Sequence, residues 1–207
     1  MTKQLNYIIL AIAVLVFLLL QLPYFAIAQY PFRLLGTWFH EMGHGLTAIC
    51  VGGSFKYLEI YGNGGGVAYY TLSNTFMPIS IGNAIVALGG LLGPAIAGAV
   101  LIAGAKYTKS ASILLRFLIG MIVLSLIIWI RSYWGVIILG AFAILFTVIT
   151  FLKNKKIEVG TLLFLGMQSV LSSYLQLNYL FTKQFVRGGQ VQNSDTQAIA
   201  ENTFGTY

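Results

Sequence analysis

Long apolar runs separated by short polar or glycine-rich joints organise most of this chain. The first covers residues 7–28 behind a lone Lys3, and the second covers 31–51 and ends at Gly52-Gly53. Four more follow at 81–105, 112–130, 133–152 and 159–180. At a rise of about 1.5 Å per residue each can cross a hydrocarbon layer. Residues 54–71 break the pattern. Phe55, Tyr57, Leu58, Ile60 and Tyr61 read as a strand, Gly62 to Gly66 as a turn, and Val67 to Thr71 as a returning strand. The fold class this predicts is an all-α polytopic membrane protein. It has about six transmembrane helices and a small β-hairpin after the second run. The tail, 181–207, is polar; Ser194 and Gln197 are spaced like a capping box that starts a helix near Asp195. Residues 1–207 thus form a single membrane-embedded unit without a second soluble domain.

Composition agrees with the pattern: 58% of residues are hydrophobic and 8% charged. A water-facing surface needs about 25% charged residues. The net charge of +7 would suggest nucleic acid on a soluble protein. Here Lys and Arg fall mainly between apolar runs, where they meet lipid headgroups, so the lipid bilayer is the expected partner and nucleic acid is not. The distribution does not fix sidedness. Ala26-Ile27-Ala28 resembles a signal cleavage site, but the length of the first run favours an uncleaved anchor. The cell membrane is the expected location. Cys50, alone in the chain, excludes an intrachain disulfide and reads as a small buried residue. Leu92-Gly93-Pro94 should kink or interrupt the third run, while Gln168, Gln176 and Asn178 read as interhelical hydrogen-bond partners.

The chemistry lies in the second run. His40-Glu41-Met42-Gly43-His44 places both histidines of the chain four residues apart, on one helix face, where both imidazoles reach one cation. Glu41, beside His40, is placed to take a proton from water and pass it to a leaving amine. Ionisable groups at membrane depth cost about 2.5–3.5 kcal/mol each on insertion scales, so a structural helix would avoid them. Zinc accepts imidazole nitrogen, wants a third protein ligand, and keeps a fourth position open. The remaining carboxylates are Glu59, Glu158, Asp195 and Glu201. Glu59 sits in the adjacent hairpin, Glu158 beside Lys155 and Lys156 reads as a solvated loop charge, and Glu201 shares the tail helix with Asp195. Asp195 is the expected third ligand, with Glu59 and Glu201 as alternatives.

The stretch Trp38 to Gly45 followed by Gly52-Gly53 resembles the active-site helix of the site-2-protease-like zinc peptidases, in particular their small bacterial-type branch. The likeness continues through Gly64-Gly65-Gly66-Val67 and Gly89 to Pro94. Asn193-Ser194-Asp195 is similar to the family's Asn-Pro-Asp third-ligand motif, with Ser194 for the proline and Thr196 for the following glycine. The resemblance implies a zinc-dependent endopeptidase that cleaves membrane-anchored proteins, with His40, His44 and Asp195 as metal ligands and Glu41 as the catalytic base. A zinc-binding scaffold without catalysis is the alternative; it would not need Glu41. A transporter would carry ionisable groups through several spans, and the later runs here carry few.

Overall fold

The computed structural model describes residues 3–73, 75–175, 184–187 and 190–204. Helix α1 (Lys3–Leu20) is followed by a 3-10 turn (Pro23–Phe25) and α2 (Ala26–Cys50). Strands β1 (Ser54–Ile60) and β2 (Gly66–Thr71) come next, then α3 (Ile79–Gly104), α4 (Thr108–Ile128), α5 (Tyr133–Phe151) and α6 (Lys155–Leu175). A second hairpin of β3 (Gln184–Arg187) and β4 (Gln190–Asn193) leads to α7 (Asp195–Phe204). The protein is predominantly helical. Three helices, α3, α4 and α5, are long and apolar enough to cross a membrane. The pair of helical segments Tyr7–Leu20 and Pro23–Cys50, bent by 90°, counts as up to one more. Among the described residues, length and composition alone thus support three or four spans. The bend joins the first two runs into one candidate, and α6 is described only as far as Leu175.

The first break falls at Pro23, earlier than the apolar pattern suggested, and Pro31 lies inside α2. Pro94 likewise lies inside an unbroken α3, although it lacks the N–H that would bond to the Gly90 carbonyl. Helices packed against neighbours in a membrane protein tolerate such gaps. Helix α2 ends as Gly52 takes a φ of +87°. The Gly53 N–H then bonds to the Ala48 carbonyl at 2.8 Å and the Gly52 N–H to the Ile49 carbonyl at 3.0 Å. This Schellman arrangement turns the chain directly into β1.

Helices α2 and α3 approach so closely that a Cβ on Gly43 would strike the Gly89 carbonyl, and one on Gly93 would come within 2.7 Å of the Phe39 carbonyl. Small residues at these positions let the two backbones touch. Helix α6 packs on the other side of α3, with Gly98 and Gly166 at the contact. Gln29 and Gln168 tie α2 to α6 by reciprocal amide bonds of 2.8 and 3.0 Å. Gln176 and Asn178 lie outside the described residues. The main core gathers Leu34, Trp38, Leu58, Leu115, Ile122, Leu139 and Leu162, so α2 is enclosed by the hairpin and α4 to α6.

Two sequence readings change. Glu158 is fully buried rather than a solvated loop charge, because the Ser112 hydroxyl donates to it and the Lys155 ammonium lies 3.1 Å away. Cys50, at the end of α2, is exposed rather than buried.

Candidate metal centre and active site

One stripe of α2 builds the site. Tyr30, Arg33 and Thr37 occupy successive turns and hold the glycine-rich turn of the first hairpin. The Tyr30 hydroxyl donates to Gly62 O at 2.6 Å, Arg33 to Asn63 O at 2.8 Å, and the Thr37 hydroxyl to Gly64 O at 2.7 Å. Gly64 adopts a φ of +95°, which glycine permits without a Cβ clash. One turn further along the stripe lies Glu41, only 2% exposed. The hairpin covers it: a Cβ on Gly66 would sit 2.8 Å from both Glu41 Cγ and Oε1.

His40 and His44 are both buried, with their Nε2 atoms 3.1 Å apart. His44 Nδ1 lies 2.9 Å from the Val86 carbonyl of α3. A carbonyl only accepts, so Nδ1 carries the proton and His44 Nε2 presents a lone pair to the site. The imidazole occupies the space that a side chain at residue 90 would fill, since a Cβ on Gly90 would fall on the ring.

Asp195 begins α7, which packs on α3. The Ser194 hydroxyl caps this helix, accepting from the Gln197 N–H at 3.2 Å. The Asp195 carboxylate lies 3.2 Å from His40 Nε2 through Oδ2 and 3.4 Å from His44 Nε2 through Oδ1. Burial pushes this carboxyl up; when His44 and His40 are protonated, their charge and hydrogen bonds outweigh burial and hold it below the usual carboxylate range. The nearby Tyr70 phenol is pushed up by burial and then by the Asp195 charge.

The donor set fits a metal. Ligand bonds of about 2.0–2.1 Å at tetrahedral angles separate ligand atoms by about 3.3–3.4 Å, close to the 3.1, 3.2 and 3.4 Å observed. His40 Nδ1 and Asp195 Oδ2 are buried without a hydrogen-bond partner. A cation among the three donors supplies the partner that Asp195 Oδ2 lacks and joins the facing Nε2 atoms of His40 and His44. His40, His44 and Asp195 are the group among the described residues that could hold a metal ion. Glu59 instead accepts from the Tyr61 hydroxyl at 2.7 Å, and Glu201 from the Gln197 amide at 2.8 Å.

The family model for Peptidase M50B-like proteins matches residues 8–207. The chain belongs to this peptidase family. It is thereby a relative of the site-2 proteases, and an integral membrane protein of a metal-dependent peptidase class. No curated protein and no solved structure matches the chain. In this M50B-like peptidase Gly66, Val86 and Gly90 shape the site without having been singled out for it by sequence. Gly90 lies in a small-residue run with a sufficient packing explanation, and Val86 acts through a backbone carbonyl, which leaves no sequence signal.

Proposed function

We propose that the protein is a zinc-dependent endopeptidase that hydrolyses peptide bonds of membrane-anchored proteins. The observation that carries this reading is the convergence of His40, His44 and Asp195 beside Glu41, in a chain of the M50B-like family. His40, His44 and Asp195 hold the metal; two imidazoles and a carboxylate suit zinc. When bound, the metal supplies Lewis acidity, which lowers the pKa of water at the site to about 7 and polarises the scissile carbonyl. Glu41 takes the proton from the attacking water and returns it to the departing amine. The Val86 carbonyl holds the His44 tautomer, and the Gly62–Gly66 turn shields Glu41 from bulk solvent.

The substrate chain enters extended. The outer edge of β1 is taken by residues 129–131, since the Leu58 N–H bonds to Trp129 O at 2.9 Å and the Arg131 N–H to Leu58 O at 3.0 Å. Strand β2 has no further strand beside it among the described residues. Its edge, next to Glu41, is where an extended peptide would pair. We further read the whole chain as one peptidase domain of the cell membrane, with α1, α2 and α6 joining α3 to α5 in a six-span arrangement. Its partners are lipid and a membrane-anchored substrate rather than nucleic acid.

The test is Glu41→Gln in the full-length protein in detergent, assayed by mass spectrometry on membrane-anchored model peptides. Zinc content should stay at wild-type level while cleavage falls about 10²- to 10⁴-fold, the usual contribution of a general base. Equal cleavage by the two proteins would remove Glu41 from its role. A zinc-loaded wild type that cleaves nothing would favour the non-catalytic scaffold.

A further inference from the structure

The first hairpin has two faces. A register shift between Phe55 and Tyr57 lets Phe55, Leu58 and Ile60 all turn into the core, with Ala68 packed against it. The other face carries Tyr57, Glu59, Tyr61 and Tyr69, each half-buried. Tyr57 and Tyr69 are cross-strand partners whose rings stack at 4.3 Å between centroids and 21° between planes. The Tyr61 hydroxyl donates to Glu59 Oε2 at 2.7 Å. Burial and hydrogen bonds to Glu59 and Tyr69 push the Tyr61 phenol up, so it stays a neutral donor.

Glu59 stands out among the five acidic residues of a chain with net charge +7. Glu41 and Asp195 belong to the site, and Glu158 pairs with Lys155. Glu59 makes no ion pair among the described residues, although twelve Lys and Arg are present in the chain. The carboxylate is instead framed by phenols. Tyrosine ring faces and a carboxylate together attract an organic cation, more strongly where water is partly excluded. The position also matters. Glu59 pairs with Val67, the neighbour of Gly66, and Gly66 lies against Glu41.

We propose that Tyr57, Glu59, Tyr61 and Tyr69 form a subsite for a lysine or arginine side chain flanking the bond to be cut. This rests on the peptidase reading for its substrate, but the subsite is tested by binding alone. A phosphatidylethanolamine headgroup offers the same ammonium chemistry, and the experiment separates the two sources.

The full-length protein in non-ionic detergent is titrated into fluorescent peptides, each with an apolar helical anchor and a Gly/Ser tail. The tail carries one lysine, or norleucine, at successive positions, and binding is read by anisotropy. Lysine should bind about five- to tenfold more tightly than norleucine at one register. That preference should fall below about twofold in Glu59→Gln, whose amide can still accept the Tyr61 hydroxyl, and in Tyr57→Leu. Unchanged zinc content in both variants shows that the site is intact. Equal binding of lysine and norleucine at every position overturns the proposal, as does a full preference in Glu59→Gln. If phosphatidylethanolamine abolishes the preference in wild type, the lipid amine is the occupant and the substrate assignment falls. Cleavage plays no part in the readout, so failure of the peptidase reading would show separately in the Glu41→Gln comparison.

Discussion

Gly90→Ala should cripple the metal centre without touching a metal ligand. The new Cβ would land on the His44 imidazole, well inside van der Waals contact. The ring can stay only if α3 backs away from α2, and the backbones already touch at Gly43 and Gly89. Overpacking of this kind costs about 1–3 kcal/mol. If the ring turns aside instead, it leaves the Val86 carbonyl, 2.9 Å from Nδ1, and sacrifices a net contribution of about 0.5–1.5 kcal/mol. Across the two alternatives the cost is about 0.5–3 kcal/mol, or roughly two- to a hundredfold in zinc affinity at 1.4 kcal/mol per decade. Competition against a chromophoric chelator in detergent measures that affinity. Gly120→Ala is the control, because its Cβ would meet nothing within 4 Å. Wild-type zinc affinity in a folded Gly90→Ala protein would refute the claim that residue 90 must be bare to seat His44.

Asp195→Asn keeps the shape of the third donor and removes its charge; the same chelator competition should show zinc affinity lowered by at least about a hundredfold. Ser125→Ala strips the acceptor from the buried Trp38 indole N–H, 3.1 Å away, and should destabilise the protein by about 1–3 kcal/mol in detergent melts. Gln168→Leu breaks the reciprocal amide pair with Gln29, and a smaller loss of about 0.6–1.7 kcal/mol is expected in the same measurement.

The histidine pair was legible because four-residue spacing fixes a common helix face whatever the tertiary structure. The first hairpin was legible too, through its alternation and its glycine turn. Other features depended on remote partners. Both Pro23 and Pro31 punctuate the first apolar stretch, and only packing decides that the earlier one marks the break. Glu158 looked solvated beside two lysines, yet Ser112 on another helix supplies the partner that permits burial. The cover on the outer edge of β1 likewise comes from residues 129–131, about seventy positions away. Asp195 could be singled out by chemistry and resemblance, whereas its approach to His40 and His44 is a matter of how α7 rests on α3.

That the donors come from α2 and α7 has a consequence for biosynthesis. Asp195 follows His44 by 151 positions (195 − 44). At about 5–20 residues per second, a ribosome needs roughly 8–30 s to travel that distance. Throughout this interval the nascent protein holds both imidazoles but lacks the carboxylate opposite them. If the site acts as proposed, a peptidase inserted among other newly made membrane proteins stays incomplete until the rest of its own bundle has been synthesised.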